Sequence, residues 1–274
     1  MSAQLGLRGR AWFQALTGQN SPMDGDPGSV LTADAGLGKD RARFLCVVPN
    51  PQARFPCARR GEVGLEEAYA LARRIREAVH QDEDGKKRPI IAIVDVKSQA
   101  YGRREEIAAI FLAAATAADA YASARMKGHP VITLVAGQAI SGGFLTHGYQ
   151  ANRILAFDDN GVVIHAMHKE AAARITLRSV ADLDRLGRQV APLSYDIHDY
   201  ARLGLLHKLL HVQDPDKPSQ ATVAQVQKEL IDAVADARAG SKDLSNRLDS
   251  EAAREMRKAG LAARAHMEEQ WMKG

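Results

Sequence analysis

The sequence predicts an α/β fold. Short, β-branched apolar runs alternate along the chain with longer segments whose apolar residues recur at helical spacing. The run at 90–94 is apolar without alternation, as in a parallel strand that is covered on both faces. Alanine is abundant and aromatic residues make up only 5% of the chain, which disfavours an all-β sandwich. With 274 residues the chain can bury a full core.

The N-terminal region carries one helix and then a loop. Residues 10–18 form a short apolar segment that Trp12 and Phe13 anchor and Gly18 ends, which predicts a helix. From 18 to 41 the composition shifts to Gly, Pro, Asp and Ser with little periodicity. This predicts a long loop, either flexible or closed over by a partner chain.

The middle of the chain alternates strands and helices. The predicted strands are 44–49, 89–95, the run that begins at 131, 153–157 and 161–167. The predicted helices are 65–80, 105–125, 168–175, 179–187 and 195–204, before a closing apolar segment at 205–211. Residues 221–272 read as amphipathic helix with breaks at Gly240 and Gly260. The predicted units are therefore an N-terminal region (1–41), an α/β domain (42–218) and a C-terminal helical arm (219–274).

Composition and charge argue against several kinds of partner. The net charge of +4 is mild and the basic residues lie beside acidic ones, so no nucleic-acid surface is expected. No apolar run is long enough to span a bilayer, and Cys46 and Cys57 lack the spacing of a redox or metal motif. We therefore expect a reduced, cytoplasmic protein that is not bound to a membrane.

A glycine turn after the strand that begins at 131 is the first candidate site. Ser141, Gly142 and Gly143 follow the strand directly and precede an apolar, helix-compatible segment. Either the two glycines permit close packing, or they expose backbone N–H groups to an anionic oxygen. The strand that ends at Asp95 delivers the loop 98–102 to the same edge of a parallel sheet. Two loops that converge on one oxygen would form an oxyanion hole.

Two other kinds of site compete with this interpretation. Ser141 is a candidate nucleophile with His165 or His168 as its base, although Ala139 replaces the first glycine of a Gly-x-Ser-x-Gly elbow. Alternatively, Ser141 caps the following helix. A metal site would draw on His198, His207 and His211, but no carboxylate pairing or His-Glu-x-x-His pattern accompanies them, so no metal is expected.

Several stretches carry a family resemblance. Residues 94–106 resemble the strand, loop and helix start of the C-terminal half of biotin-dependent carboxyltransferases, which belong to the crotonase superfamily, and the turn at 137–144 and the run at 165–172 are similar to theirs. Residues 8–18, 43–64 and 139–210 look more like the γ-subunit family of biotin-independent malonate decarboxylases. Lys97 and Ser98 replace the Pro-Gly of the biotin enzymes, and the chain contains no Met-Lys-Met biotin-carrier sequence.

The resemblance implies a crotonase-like ββα superhelix for 42–218, with flanking helices. It also implies a carbon-carbon lyase that works with a homologous β subunit and converts a malonyl thioester into an acetyl thioester and CO2. The substrate would be carried on the CoA-like prosthetic group of an acyl carrier protein. A further partner would be an acyl-carrier-protein transferase subunit. This chain would bind no cofactor of its own.

For such a reaction the candidate catalytic residues lie on the glycine turn and on the loop that follows Asp95. They are Gly142, Gly143, Ser98, Gln99, Ala100, Tyr101 and Gly102. Tyr101 would orient the substrate, protonate the enolate or pack at an interface. The candidate substrate-binding residues are Gln138, Ser141 and Phe144. Two alternatives remain open: a Clp-type serine peptidase, whose turn the stretch 137–141 and the pair Ile164-His165 resemble, and a non-catalytic scaffold subunit.

Overall fold

One sheet of seven strands organises residues 7–273, the part of the chain that the computed structural model describes. The first six residues of the predicted N-terminal region and the last residue of the predicted arm lie outside it. The strands are β1 (Val30–Leu37), β2 (Asp40–Val47), β3 (Ile90–Val96), β4 (Val131–Ile140), β5 (Arg153–Phe157), β6 (Val163–His165) and β7 (Lys208–Leu210). Their order is β1-β2-β3-β4-β5-β7, and β6 pairs with the second half of β4. The β1–β2 pair is antiparallel and every other pairing is parallel.

Helices cover the sheet and continue into the C-terminal arm. They are α1 (Leu7–Thr17), α2 (Leu65–Gln81), α3 (Arg103–Ile107), α4 (Ile110–Met126), α5 (Ser141–Thr146), α6 (Lys169–Ile175), α7 (Val180–Gln189), α8 (Ile197–Arg202), α9 (Gln220–Ala239), α10 (Glu251–Met256) and α11 (Lys258–Lys273). Helices α2 and α4 pack against each other, and α1 lies against β1, β2 and β3. Trp12 of α1 is fully buried with its ring 4.6 Å from that of Phe157, which confirms its predicted role as an anchor.

The parallel arrangement of β3 and β4 positions the candidate site. All seven residues of β3 are buried, as the unbroken apolar run predicts for a strand covered on both faces. Ile90 pairs with Val131 and Val94 with Val135, so the two strands run side by side in the same direction. Their carboxyl ends therefore reach the same edge of the sheet, as predicted.

The predicted loop over 18–41 is wrong in its second half, where β1 forms. This strand pairs along its whole length with β2, which begins at Asp40. Arg43 of β2 is 1% exposed, and its guanidinium donates to the Asp34 carboxylate of β1 at 2.5 and 2.8 Å. The strand is thus stabilised by a partner strand and a buried ion pair, neither of which leaves a local apolar pattern in the sequence.

Two predicted helices are also wrong in their continuity. The segment 105–125 is divided into α3 and α4 at Ala109, whose φ of +60° is left-handed, although its alanine-rich composition favours an unbroken helix. The arm is interrupted between 240 and 250, close to the predicted break at Gly240, but Gly260 lies inside α11. Segments 161–167 and 205–211 contain only the short strands β6 and β7. The division into three units at 41 and 218 stays a prediction.

Candidate functional site

A buried carboxylate organises the carboxyl ends of β3 and β4. Asp95 accepts hydrogen bonds from the backbone N–H groups of Gln138 at 3.0 Å and Gly9 at 3.2 Å. The β3–β4 register shifts between Val94 and Val96, where this side chain is accommodated. A Cβ on Gly137 would overlap the Asp95 carboxylate. Burial raises the pKa of Asp95, and the two N–H donors oppose that shift.

The loop that follows β3 is held by a neighbouring segment. The Val63 N–H donates to the Ser98 carbonyl at 3.1 Å, and the Ala100 N–H donates to the Val63 carbonyl at 2.7 Å. Ser98 and Ala100 are buried, whereas the Tyr101 side chain is 63% exposed. The Cys57 thiol donates to the Tyr101 carbonyl at 3.8 Å. Backbone pairing thus fixes the first half of the loop and leaves the tyrosine at the surface.

The loop and the glycine turn meet directly. The Gly142 N–H donates to Gln99 Oε1 at 2.9 Å, so a carbonyl oxygen of the loop already occupies this donor. A Cβ on Gly143 would overlap the Ser98 carbonyl and would lie 3.0 Å from the Gln99 backbone nitrogen. Glycine is therefore required at 143 by the close approach of another backbone. The predicted convergence of the two loops is present, with Gln99 in contact with the turn.

Ser141 adopts a strained conformation, and the predicted helix cap is wrong. Its φ of +59° is left-handed, which is rare for a residue other than glycine. Ile140, not Ser141, occupies the N-cap position of α5, and no side chain there caps a backbone N–H group. Ser141 is already the first residue of the helix, so its hydroxyl is not placed as a cap requires.

A cavity of about 870 Å³ opens beside the turn. Ser141, Gly142 and Phe144 line one side, and Phe144 packs edge-on against Tyr149 with 5.6 Å between ring centres. The first turns of α11 line another side through residues that include Arg264. The cavity falls in the size range of small-molecule sites. Two of the three predicted substrate-binding residues thus face one space.

Gln138, the third of these, is placed elsewhere. It is absent from the residues that line the cavity, and its backbone N–H is engaged by Asp95. Its side-chain Oε1 is buried and has no hydrogen-bond partner among the described residues.

The histidines near the turn are held by other groups. The His165 ring stacks on Tyr195 with 3.7 Å between centres, its Nδ1 accepts from the Met167 N–H at 3.2 Å, and burial lowers its pKa. His168 donates from Nε2 to the Lys97 carbonyl at 3.1 Å. Within residues 7–273 no hydrogen bond joins the Ser141 hydroxyl to either histidine. A serine–histidine pair is therefore not assembled.

The three histidines considered as metal ligands lie beside three different carboxylates. His198 is 2.7 Å from Asp196 and 3.3 Å from Asp158, His211 is 3.3 Å from Asp158, and His207 is 4.0 Å from Asp236. Over 7–273 no group of three metal-binding side chains is arranged around a common point. Nor does any helix in that range combine the length and apolar character needed to cross a bilayer.

Sequence reasoning missed what supports the two loops. The carboxylate of Asp95 and the pairing of the loop with Val63 fix the site, yet their partners are distant along the chain. The wall contributed by α11 was also missed, because an amphipathic pattern does not specify what a helix faces. A carboxylate at the end of a buried strand is a signal that could have identified Asp95.

Comparisons with known proteins agree on one family. The profile of MdcE, described as malonate decarboxylase gamma subunit, matches residues 58–271. The chain is similar to a subunit of a solved Pseudomonas malonate decarboxylase hetero-tetramer in complex with coenzyme A, with 50% sequence identity. The match covers 96% of this chain and 99% of that chain, with a TM-score of 0.90. A Pseudomonas MdcD-MdcE hetero-dimer also matches at 50% identity, with the same coverage and a TM-score of 0.88.

More distant relatives extend the comparison to carboxyltransferases. A curated relative, the malonyl-S-ACP:biotin-protein carboxyltransferase MADD of Malonomonas rubra, is 34% identical over 165 residues, which are 59% of this chain and 56% of that protein. The match thus spans little more than half the length of this relative. The transcarboxylase 12S matches with a TM-score of 0.58 at 16% identity, over 78% of this chain and 36% of that chain, which concerns the fold alone. The predicted crotonase-like α/β fold is confirmed.

Proposed function

The chain belongs to the malonate decarboxylase gamma subunit family, and we propose on this premise that it forms one wall of the site where a malonyl thioester loses CO2. The products are an acetyl thioester and CO2, so the activity is that of a carbon-carbon lyase. The substrate is carried on the CoA-like prosthetic group of an acyl carrier protein. The solved relatives that contain MdcD support a complex with a homologous β subunit.

The chemistry needs a site for negative charge on oxygen. When the bond between the carboxylate carbon and the α-carbon breaks, its electron pair moves into the thioester as an enolate, and a proton then adds to the α-carbon. Fixed N–H donors that wait where the enolate oxygen develops lower this barrier, and one such donor typically contributes about 3 kcal/mol. Neither a metal nor a covalent intermediate is needed for this step.

One observation carries the proposal: the loop 98–102 and the glycine turn meet at the sheet edge, with Gln99 Oε1 on the Gly142 N–H. In the proposed complex the thioester oxygen takes the place of this amide oxygen. The N–H groups of Gly142 and Gly143 then face the enolate. Ser98, Ala100 and Gly102 shape the wall, and the exposed Tyr101 orients the substrate or protonates the enolate.

The remaining assignments follow from the same proposal. Ser141 and Phe144 contact the substrate from the cavity. Gln138 lies outside the cavity and supports the turn from β4 through the bond from its N–H to Asp95. An acyl carrier protein and its transferase subunit are the further partners, in the cytoplasm, and this chain binds no cofactor of its own.

A Ser141→Ala variant tests the proposal against a peptidase that uses Ser141 and His165. The chain is co-expressed with the malonate decarboxylase β subunit of the same organism, and CO2 release from the malonyl thioester of its carrier protein is measured. The decarboxylase proposal predicts that the variant still releases CO2, with a raised KM because Ser141 contacts the substrate but forms no covalent bond with it. No CO2 release by the unmutated complex, together with fluorophosphonate labelling that the Ser141→Ala variant loses, would refute it in favour of the peptidase. Equal release by the β subunit alone would instead make the chain a scaffold.

A further inference from the structure

His165 lies at the end of β6, beside the glycine turn. Strand β6 pairs with the second half of β4, and His165 is the register partner of Ile140, the residue before Ser141. The imidazole is half-buried and lines the cavity of about 870 Å³ together with Ser141 and Gly142. The pairing of two parallel strands therefore brings an imidazole and one of the proposed oxyanion donors to the same space.

Neighbouring side chains fix the orientation of this imidazole. The Tyr195 ring stacks on it, with 3.7 Å between the ring centres and 11° between the planes. Tyr195 is itself held, because its hydroxyl donates to the Met167 carbonyl at 2.9 Å and the Lys169 ammonium lies 5.0 Å from the centre of its ring. A histidine that transfers protons needs such a fixed orientation, and a third group usually supplies it.

The Met167 backbone can bind Nδ1 of His165 in either protonation state. Its N–H lies 3.2 Å from Nδ1 and its carbonyl oxygen lies 3.0 Å from it. The N–H donates when Nδ1 carries no hydrogen, and the carbonyl accepts when Nδ1 carries one. Within residues 7–273 the hydrogen bonds of this imidazole are made by Nδ1. Nε2 is therefore free to give or take a proton in the cavity.

The electrostatic surroundings also suit proton transfer. Burial, and after it the Lys169 ammonium, lower the pKa of His165, so the protonated ring is a stronger acid than that of an exposed histidine. The other titratable side chains that line the cavity are tyrosines and arginines: Tyr149, Tyr200, Arg257 and Arg264. Tyrosine and arginine ordinarily keep their protons at neutral pH, whereas histidine exchanges its proton near that pH.

We propose that His165 is a catalytic residue that protonates the α-carbon after CO2 has left, an inference that rests on the proposed function. The Nε2–H bond breaks, the electron pair of the enolate double bond forms the new C–H bond, and the oxygen re-forms the carbonyl. The ring is left neutral, with its remaining hydrogen donated from Nδ1 to the Met167 carbonyl, and takes its next proton from water. Tyr101, which is 63% exposed and does not line the cavity, keeps the role of orienting the substrate.

Hydrogen exchange at the acetyl thioester tests this proton transfer apart from the loss of CO2. The complex with the β subunit is incubated in D2O with the acetyl thioester of its carrier protein, and deuterium at the α-carbon is followed by mass spectrometry. Neutral His165 removes an α-hydrogen in the reverse of the proposed step. His165→Gln should exchange about 100-fold more slowly, because general acid–base catalysis typically contributes at least that factor.

His211→Gln is the matched control. The His211 side chain is 90% exposed and is not among the residues that line the cavity, so this variant should exchange at the rate of the unmutated complex. CO2 release from the malonyl thioester is measured on the same proteins. Because the carbon–carbon bond breaks before the proton is delivered, His165→Gln should keep CO2 release within about tenfold, which also shows that the variant is folded.

Several outcomes overturn the inference. These are no exchange in the unmutated complex, unchanged exchange in His165→Gln, an equal loss in His211→Gln, or a loss in Tyr101→Phe that His165→Gln does not share. Equal loss of exchange and CO2 release in His165→Gln also overturns it, since the imidazole would then support the site as a whole. If the unmutated complex exchanges through His165 but releases no CO2, the proposed function fails while the proton transfer stands. CO2 release with exchange that does not depend on His165 gives the converse.

Discussion

The carboxyl edge of β3 and β4 and the last helix of the chain are built in opposite ways. At the edge, Gly137 has no room for a Cβ because the Asp95 carboxylate lies against it, and Gly143 has none because the Ser98 backbone does. Helix α11 has sixteen residues and no buried one, and Trp271 is 87% exposed. Isolated helices of this length are only marginally stable in water. The sheet edge is therefore closely packed by residues of this chain alone, whereas the stability of α11 depends on what packs against it.

The largest expected effect concerns the edge. Replacing Gly137 by Ala forces a methyl group into the buried Asp95 carboxylate and should lower the free energy of unfolding by about 3 kcal/mol, measured by urea titration. Gly36→Ala is the control, because nothing lies within 4 Å of a Cβ added there. If both variants lose the same small amount, the edge is not as closely packed as described.

A buried histidine gives the edge a pH dependence. His147 links α4 to β3 through Tyr121 Oη at 2.9 Å and the Ile93 carbonyl at 3.0 Å, and burial lowers its pKa to about 4. The unfolded chain, with an ordinary histidine pKa, binds the proton first, so this stabilisation is complete above about pH 6.5 and is lost as the pH falls toward 4.

The expected loss from His147 is about 2 kcal/mol between pH 7 and pH 5. Urea titrations of the unmutated chain and of His147→Gln across this range measure it, since the variant should show a shallower decline. Parallel curves would show that His147 titrates normally in the folded protein.

The smallest effect is expected in the arm. Trp271→Ser removes the largest side chain of α11 but should change the free energy of unfolding of the isolated chain by no more than about 0.5 kcal/mol, because the indole is 87% exposed. A loss above about 1 kcal/mol would show that α11 packs on its own domain, and the contrast between the two regions would disappear.

The same contrast explains what the sequence could predict. Helix α2 and strand β3 were predicted almost to the residue because their patterns are local, and the two loops were placed at one edge because parallel strands end together. Strand β1 was missed because its stability comes from pairing with β2. The hydrogen bond from the Gly142 N–H to the Gln99 side chain joins residues 43 positions apart, so no local sequence pattern predicts it. The left-handed Ala109 lies in a segment whose composition favours helix.

The most direct test of the central claim compares two neighbouring glycines. In the complex with the β subunit, CO2 release from the malonyl thioester is measured for Gly143→Ala and Gly142→Ala. A Cβ at 143 meets the Ser98 backbone, whereas one at 142 meets the Gln99 side chain, which can rotate away. We predict a fall of about 100-fold or more for Gly143→Ala and less than about tenfold for Gly142→Ala. Equal, near-normal rates in both variants would contradict the assignment of the site to the turn and loop.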